Sequence, residues 1–506
     1  GRNVCFQVVS VCSFAKAAKT PLEHEVPNEK KEHYYKATCK KREEFARECR
    51  LQKITHARDC TPFCNLKPDF VCALKATTPV FLDGSAVSKN GCGGMDIINL
   101  PLTMRTVFKK NNKRIFLDYA AATPISDTAL AAYNEALKYF ANPQALHSEG
   151  LEAARVRDEA RSTIAKVLGV KSQEIVFTSG GTEANNLALA GYLRALEGKR
   201  IDMKDCHVVI STIEHPSVSD VFEPFVTRGL SVTKVQPNKH GEVKPEAIEA
   251  ALQENTVLIS LALVNSEIGT VQPIHAIAKQ LKGRKPTIGA KNLEKIIFHT
   301  DACQGLYQSL VPQGLGADLM SFDSGKMYGP RGIGALYIRK GVTIAPVLRG
   351  GSQEGGLRPG TEPVALCAGF AAAFKESSEM RESEAQRLGE VRENLLEELQ
   401  ANIQDIVLNG SGKKQSPHIL NISIPEIDAE YVAMYLDQRG LALSTKSACL
   451  ERADASESHV VKSLGGESWR AKNTLRLSFG RDTDGRDVSR IAGKVKEAVD
   501  TYGGFN

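Results

Sequence analysis

The chain has 506 residues, of which 42% are hydrophobic and 25% charged, a composition typical of globular proteins with two or three domains. Its formal net charge of +6 is too small for this length to indicate nucleic-acid binding. No apolar run reaches the roughly 18 residues of a membrane span, and the N-terminus has no signal-peptide pattern. We therefore expect a cytoplasmic protein that binds neither membranes nor nucleic acids directly.

Residues 1–112 differ from the rest of the chain. They are rich in Lys, Arg and Glu, lack a sustained helical or strand period, and contain eight of the twelve cysteines. Cys60 and Cys64 form the one close cysteine pair, and a tetrahedral zinc site usually needs a second. We interpret this segment as an appended extension of unassigned role and expect no metal site. The sparse cysteines of the remainder, typical of a reducing compartment, are Cys206, Cys303, Cys367 and Cys449.

From Ile115 onward, apolar runs and helical periods alternate. The strands predicted by the apolar runs are 115–119, 174–178, 207–211, 256–263, 296–300, 318–322 and 334–339. The predicted helices are 127–140, 151–168, and two that begin at Thr182 and Pro216. This alternation predicts a mainly parallel sheet with helices on both faces, in which ligands bind at the carboxyl ends of the strands.

A smaller α+β region is predicted to follow the large sheet. Its elements are a long helical stretch at 363–401 and strands near 417–424 and 474–478. We accordingly divide the chain into the extension at 1–112, a large α/β domain at 113–362 and a smaller α+β domain at 363–506.

Lys326 lies in a glycine-rich loop between two apolar runs, in the sequence Ser324-Gly325-Lys326-Met327-Tyr328-Gly329. A lysine amine in a partly desolvated pocket loses its proton more readily and can react with an aldehyde. Pyridoxal 5'-phosphate (PLP) is the common aldehyde cofactor. Taken alone, a solvated surface lysine is the more frequent arrangement, so the assignment depends on the other motifs.

A second motif, Ser179-Gly180-Gly181-Thr182, follows a predicted strand and opens a predicted helix. Amide groups at a helix N-terminus bind phosphate, and glycine permits a close approach. A plain strand-to-helix turn is the alternative. The motif alone does not decide between them.

His215 and Asp301 each lie at the end of a predicted strand. A histidine there can stack on a flat ring or move a proton, although a lone histidine more often has a structural role. Asp301 could hold a pyridine nitrogen protonated and so make the ring an electron sink. Its alternative is a helix N-cap. Gln304, three residues further on, could reach the neighbouring ring oxygen.

Arg476 lies inside an apolar strand, where an arginine is costly to bury unless it meets an anion such as a carboxylate. An edge strand with Arg476 on the wet face is the alternative. Cys449 lies in a small, polar stretch of sequence. Because cysteine otherwise prefers burial, this placement makes Cys449 a candidate nucleophile. Lys446 nearby would favour its thiolate.

Residues 115 to about 501 resemble the cysteine desulfurases of the NifS/IscS-like group, which are fold-type I PLP enzymes of the class-V aminotransferase family. The resemblance implies an α/β fold, with a large domain around a mainly parallel sheet and a smaller C-terminal α+β domain. The motifs that carry it keep the family's order and spacing; they are Leu117-Asp118-Tyr119, Thr178-Ser179-Gly180-Gly181-Thr182-Glu183, Glu214-His215, Asn265-Ser266-Glu267, Asp301-Ala302-Cys303-Gln304, Lys326, Arg358-Pro359-Gly360-Thr361, Ser447-Ala448-Cys449 and Arg476.

The resemblance implies a role for each of these positions. Lys326 would hold PLP covalently and shuttle protons, while His215 would stack on the ring and act as acid and base. Cys449 would take the sulfur of L-cysteine as a persulfide, leave alanine, and pass the sulfur to an iron–sulfur scaffold or a tRNA-thiolation protein. A homodimer is implied, with Thr361 reaching the partner's phosphate site. The other implied contacts are Gly181 and Thr182 with the phosphate, Asp301 with the ring nitrogen, Gln304 with the ring oxygen, and Asn265 and Arg476 with the substrate.

Three positions depart from the family pattern. Gly325 stands where histidine is usual, and Ser266 stands where an asparagine usually contacts the ring oxygen. Asp323 replaces a serine that contacts the phosphate; a carboxylate there would repel it, so either Ser324 takes the contact or the loop is shifted. We expect an active enzyme with weaker cofactor retention. The alternatives are a selenocysteine lyase and a scaffold with weakened catalysis.

Overall fold

The computed structural model describes residues 80–82, 85–87, 114–289, 291–445 and 457–503. The chain divides into two units, Gly1–Asn111 and Asn112–Asn506. In the first unit, strand β1 (Val80–Leu82) pairs antiparallel with β2 (Ser85–Val87). The cysteine pair Cys60 and Cys64 lies outside the described residues. The three-part division made from the sequence stays a prediction.

The second unit is built from alternating strands and helices. Its described strands are β3 (Ile115–Phe116), β4 (Ile175–Thr178), β5 (His207–Ser211), β6 (Ser231–Val235), β7 (Thr256–Ala262), β8 (Thr287–Ile288), β9 (Lys291–Asn292), β10 (Ile297–Asp301), β11 (Leu319–Asp323), β12 (Gly334–Ile338), β13 (Val407–Asn409), β14 (Ile419–Ser423), β15 (Leu441–Ala442) and β16 (Thr474–Ser478). Its described α-helices are Asp127–Ala136, Ser148–Leu168, Gly181–Gly198, Pro216–Ser219, Glu223–Val226, Pro245–Ala251, Ile274–Leu281, Pro312–Leu315, Val364–Glu379, Arg381–Asn402, Ala429–Gln438, His459–Ser463, Trp469–Lys472 and Val488–Tyr502. Within these described stretches, no helix is both long and apolar enough to cross a membrane.

Seven strands form the central sheet in the order β4-β12-β11-β10-β7-β5-β6. The five strands from β11 to β6 run parallel to one another, and β12 runs antiparallel to both of its neighbours, β11 and β4. In β5, Val209 packs into the core on one face of the sheet, while Val208 and Ile210 pack into the core on the other. The sheet is therefore covered on both sides, as the alternation of elements predicts.

Five strand ends carry the motifs that the sequence singles out. β4, β5, β7, β10 and β11 end at Thr178, Ser211, Ala262, Asp301 and Asp323. Because the carboxyl ends of parallel strands meet at one edge of a sheet, these motifs are gathered at the edge where such folds bind ligands. The sheet and this placement confirm the predicted fold class.

A second, antiparallel sheet has the order β13-β14-β16. The first strand of the unit, β3, does not join the central sheet but pairs in parallel with β15. Just beyond β3, Asp118 forms a bridge with Ser478 at the end of β16. The chain entering the unit is thereby placed beside the strand that carries Arg476.

Candidate active site

Lys326 lies just after β11, in the single 3-10 turn Ser324–Lys326. Its Nζ donates to the carbonyl oxygens of Ala120, at 2.9 Å, and of Ala121. Gln304 Nε2 donates to the same Ala120 oxygen at 2.7 Å. The structure thus brings together two residues that the sequence predicts from separate motifs.

The carboxylate of Asp301 is buried and held by two N–H donors. Oδ2 accepts from Asn185 Nδ2 at 2.8 Å, and Oδ1 accepts from the Cys303 amide at 2.9 Å. Asn185 Nδ2 also donates to Ser217 Oγ at 2.9 Å. Asp301 is therefore fixed in orientation and connected through Asn185 to the loop that carries His215.

His215 is the N-cap of the short helix Pro216–Ser219. Its Nδ1 accepts from the Ser217 amide at 3.1 Å and lies 2.7 Å from Ser217 Oγ. Because an N–H group donates to Nδ1, the proton of the neutral ring is on Nε2. The imidazole therefore has a defined tautomer.

Glu214, beside His215, is buried between the ends of β5 and β7. Ser211 Oγ donates to its Oε1 at 2.5 Å and the Ala262 amide to its Oε2 at 3.0 Å. Burial raises the pKa of this carboxyl to about 8, although these two hydrogen bonds lower it. Glu214 is therefore mostly protonated near neutral pH.

At the predicted phosphate end, the Gly181 amide donates to Asp323 Oδ2 at 3.0 Å. Thr182 is exposed at the same helix start. Ser324, the predicted alternative to Asp323, is fully buried, and its Oγ has no hydrogen-bond partner among the described residues. The carboxylate of Asp323, rather than the Ser324 hydroxyl, therefore occupies the helix start.

Arg476 is 2% exposed, so the sequence alternative of a wet edge-strand position is wrong. Its Nη2 donates to Asp118 Oδ1 at 2.7 Å, and its Nη1 donates to the Ser266 carbonyl at 3.1 Å. Asn265 holds this turn, because its Nδ2 donates to the Ile213 carbonyl at 2.9 Å. The guanidinium is therefore buried and paired with a carboxylate and a carbonyl, while its Nε has no hydrogen-bond partner among the described residues.

Cys449 and Thr361 complete the set of predicted residues. Cys449 lies outside the described residues. On its N-terminal side, Ser444 exchanges two backbone hydrogen bonds with Arg476, at 2.6 and 3.2 Å. On its C-terminal side, the Ser458 hydroxyl bonds Glu267. Thr361 is exposed and lines a groove with Tyr133 and Phe140 on this protomer.

Three residues for which the sequence predicts no role contact the predicted site: Asn185, Asp118 and His418. His418 Nε2 lies 3.1 Å from Gln304 Oε1, and burial lowers the pKa of its ring to about 3, so it is neutral. Asn185 could have been found, because it lies four residues after Gly181 on the same helix face. Asp118 lies in the motif Leu117-Asp118-Tyr119, but nothing in that motif indicates its contact with Arg476, and no local signal marks His418.

Residues 115–491 match the family described as aminotransferase class-V. A cysteine desulfurase IscS from Dictyoglomus turgidum is 37% identical over 379 residues, which cover 74% of this chain and 92% of that protein. A mitosomal cysteine desulfurase from Encephalitozoon cuniculi is 35% identical over 397 residues, which cover 76% and 87%. A solved NifS-like protein has a TM-score of 0.69 at 29% identity and covers 77% of this chain and 100% of its own.

The sheet and the lysine site define an α/β enzyme of fold type I, the class that uses PLP. The chain belongs to the aminotransferase class-V family and, within it, to the cysteine desulfurases. The predicted family, fold, cofactor and enzyme class are confirmed. The roles of individual site residues stay predictions.

The donors and acceptors at the ring end fit PLP. The Lys326 amine, the Asp301 carboxylate and the Gln304 amide are the groups that an aldehyde, a pyridine nitrogen and a ring oxygen require. An ideal Cβ on Gly181 would lie 2.5 Å from Cys303 Sγ, so a glycine is needed where the helix approaches this loop. The phosphate end fits less simply, because Asp323 already accepts the Gly181 amide.

Proposed function

We propose that this chain removes the sulfur of L-cysteine at the site around Lys326, producing L-alanine and a persulfide on Cys449. One observation carries the assignment of residues. The segment Asp118–Ala121 accepts hydrogen bonds from Arg476, Gln304 and Lys326 together. One short segment therefore holds both the group predicted to bind the substrate carboxylate, on Arg476, and the reactive amine of Lys326.

When bound, PLP supplies an aldehyde for the lysine amine and a ring that withdraws electrons from the substrate Cα. Lys326 would hold the cofactor and carry the proton to and from Cα. Asp301, fixed by Asn185 and the Cys303 amide, would keep the ring nitrogen protonated. Gln304 has a second Nε2 hydrogen beyond the one donated to Ala120, and this hydrogen would serve the ring oxygen, with Ser266 as the other predicted contact.

His215 and Arg476 would orient the substrate. The defined tautomer of His215 presents an N–H at Nε2, which would donate beside the ring, where His215 is predicted to act as acid and base. Arg476 would bind the substrate carboxylate through its guanidinium fork. Asn265 would act with it, by holding the turn at Ser266 that contacts Arg476.

Cys449 would be the nucleophile for sulfur. Its thiolate attacks the substrate sulfur, and the bond between that sulfur and the substrate Cβ breaks. The Cβ then takes up a proton and becomes the methyl group of alanine. Atoms balance, because cysteine and one thiol give alanine and one persulfide. The neighbouring Ser444 pairs with Arg476 and Ser458 bonds Glu267, which supports delivery of this segment to the substrate site.

We propose that the working form is a homodimer. Four apolar side chains are exposed, three between the first two helices of the unit and one in the first turn of the second: Leu137 by 53%, Phe140 by 86%, Leu146 by 91% and Leu151 by 58%. Apolar surface of this kind favours association with another protein surface. Thr361 borders the same region, which supports its predicted contact with the partner's phosphate site.

The persulfide sulfur would pass to an acceptor protein in the cytoplasm, either an iron–sulfur scaffold or a tRNA-thiolation protein. A persulfide is reactive and needs a specific acceptor thiol, which is the chemical reason to expect a protein partner. Incubation with each acceptor class after loading with isotope-labelled cysteine would identify the partner by transfer of labelled sulfur.

The function is tested by incubating the purified protein with L-cysteine and measuring alanine and sulfide. We expect the two products in equal amounts when a thiol reductant is present, because the reductant releases persulfide sulfur as sulfide. Persistent activity with selenocysteine but not with cysteine would instead support the selenocysteine lyase. Absence of both products would support the scaffold.

A further inference from the structure

The Asp323 carboxylate stands at the start of the helix Gly181–Gly198, where the cofactor's phosphate is expected. Its Oδ2 accepts from the Gly181 amide at 3.0 Å, and its Oδ1 accepts from the Gly325 amide at 2.8 Å. Both oxygens are thus held by backbone donors from two different elements. A helix N-terminus stabilises a carboxylate through the same amides and dipole that bind a phosphate.

The carboxylate also fills the space in front of this helix. An ideal Cβ on either Gly180 or Gly181 would lie 3.4 Å from Asp323 Oδ2, so this oxygen is close to both glycines. Cys303 Sγ approaches Gly181 as well. A phosphate oxygen that bonds the Gly181 amide must therefore take the position of Asp323 Oδ2.

We propose that Asp323 is an internal competitor of the cofactor's phosphate, releasing the Gly181 amide when the phosphate binds. We further propose that this exchange takes up a proton, which the carboxylate and the phosphate share. A phosphate monoester is largely dianionic above about pH 6, so it repels an adjacent carboxylate unless a proton lies between them. By linkage, affinity for the phosphate then falls as pH rises. The inference rests on the proposed function only in placing PLP at this site.

The other charged or titratable groups near Asp323 do not remove its competition with the phosphate for the Gly181 amide. They are Asp301, Cys303 and Lys326 on the pocket side, Arg331 beside Gly325, and Glu183 with Arg358 in the first turn of the helix. Glu183 is engaged elsewhere, since it accepts from the Ser179 amide at 2.6 Å and from Arg358 at 3.1 Å. Burial, followed by the charges of Asp301 and Asp323, raises the pKa of the Cys303 thiol, so that group is neutral. Lys326 donates to Ala120 and Ala121 rather than to Asp323.

The test uses the full chain freed of cofactor and titrated with pyridoxamine 5'-phosphate. This compound lacks the aldehyde, so its binding does not require reaction with the Lys326 amine. Calorimetry between about pH 6 and about pH 8.5 gives the Kd in the wild type, Asp323→Asn and Asp323→Ser. Pyridoxamine, which has the same ring without phosphate, isolates the phosphate contribution. Glu183→Gln is the matched control, because it removes a carboxylate from the same helix turn that does not contact the Gly181 amide.

We expect the wild-type Kd for the phosphate compound to weaken at least about fivefold across this range. Both Asp323 variants should bind it about tenfold more tightly at the upper pH and lose this weakening. Pyridoxamine affinity and the Glu183→Gln variant should show neither change. The inference is overturned if both Asp323 variants bind the phosphate compound no more tightly than the wild type, or if they gain equally toward pyridoxamine.

The proposed function is judged by a separate readout. Alanine formation from cysteine without an Asp323 effect on binding would overturn this inference alone. An Asp323 effect without alanine formation would overturn the proposed function alone.

Discussion

Arg476 donates from Nη2 to Asp118 Oδ1 at 2.7 Å, across 358 positions of sequence. Two residues after Asp118, the Ala120 carbonyl accepts the Lys326 amine at 2.9 Å. The segment that follows β3 therefore contacts both Arg476, which is predicted to bind the substrate carboxylate, and Lys326, which is predicted to hold the cofactor. Any change in this segment should alter both groups together.

Arg476→Lys should raise the KM for L-cysteine by about tenfold to a hundredfold, because an ammonium cannot contact Asp118 and the Ser266 carbonyl and also present a fork of N–H groups to the substrate carboxylate. The PLP content should stay unchanged, since Arg476 contacts no residue of the predicted phosphate end. Steady-state kinetics measures the effect. Arg470→Lys is the control, because Arg470 bonds Asn409 instead. An unchanged KM in Arg476→Lys would show that Arg476 does not bind the substrate carboxylate.

Lys326→Ala should lower turnover by at least about a thousandfold, because the same amine holds the cofactor and moves the proton at Cα. The measurement is alanine formation under excess PLP. Lys295→Ala serves as the control, since Lys295 pairs with Asp318. A loss of less than about tenfold in Lys326→Ala would contradict the assignment.

Cys449→Ser should keep PLP and still change its spectrum when L-cysteine is added, yet form neither alanine nor sulfide. Serine cannot accept sulfur as a persulfide, so only the step after substrate binding is lost. Cys206→Ser is the control, because Cys206 is buried and its thiol donates to the Asp202 carbonyl, which a hydroxyl can also do. Full activity in Cys449→Ser would show that another residue is the nucleophile.

Glu214→Gln should become more stable relative to the wild type as pH rises. The folded wild type keeps the Glu214 proton up to its pKa of about 8, whereas the unfolded chain releases it near the ordinary value of 4.5. The folded state therefore binds more protons between these values, and wild-type stability falls as pH rises through them. Glutamine has no such proton, so the difference should reach a few kcal/mol at most.

Urea unfolding at several pH values measures this difference. Glu135→Gln, which removes a carboxylate in an exposed pair with Lys138, should leave the pH dependence as it is in the wild type. Parallel stability curves for Glu214→Gln and the wild type would show that Glu214 is ionised in the folded protein.

Phe140→Asp together with Leu146→Asp should convert the proposed dimer to monomers, because two charges would be placed in the apolar surface. Sedimentation velocity measures the change. Leu348→Asp, which alters an exposed apolar side chain elsewhere, is the control. A dimer that survives the double substitution would place the interface on another surface.

The sheet was largely predictable because its strands are buried apolar runs that end in polar motifs. The sequence predicts strands 207–211 and 474–478 with the bounds that the structure has. The strand Ser231–Val235 was missed because it lies at the edge of the sheet and is mostly exposed or half-buried, so its sequence lacks a continuous apolar run. The helical stretch 363–401 is two helices that meet at Met380, where no proline or glycine marks a break.

The candidate site was predictable where chemistry follows a strand end, as with Asp301 and Lys326. The contacts that fix these groups were not predictable, because they cross the whole chain. Asn185 bonds Asp301 over 116 positions, and the pairing of Arg476 with Asp118 depends on β3 lying beside β15. Sequence spacing carries no information on such pairs.

The desulfurase assignment is tested by an absorbance spectrum of the purified protein before and after addition of L-cysteine, with alanine and sulfide measured in the same sample. A cysteine desulfurase should show a PLP band that shifts with cysteine, followed by formation of alanine. A protein that shows no such band even after PLP is added, or that binds PLP and forms no alanine from cysteine, would contradict the assignment.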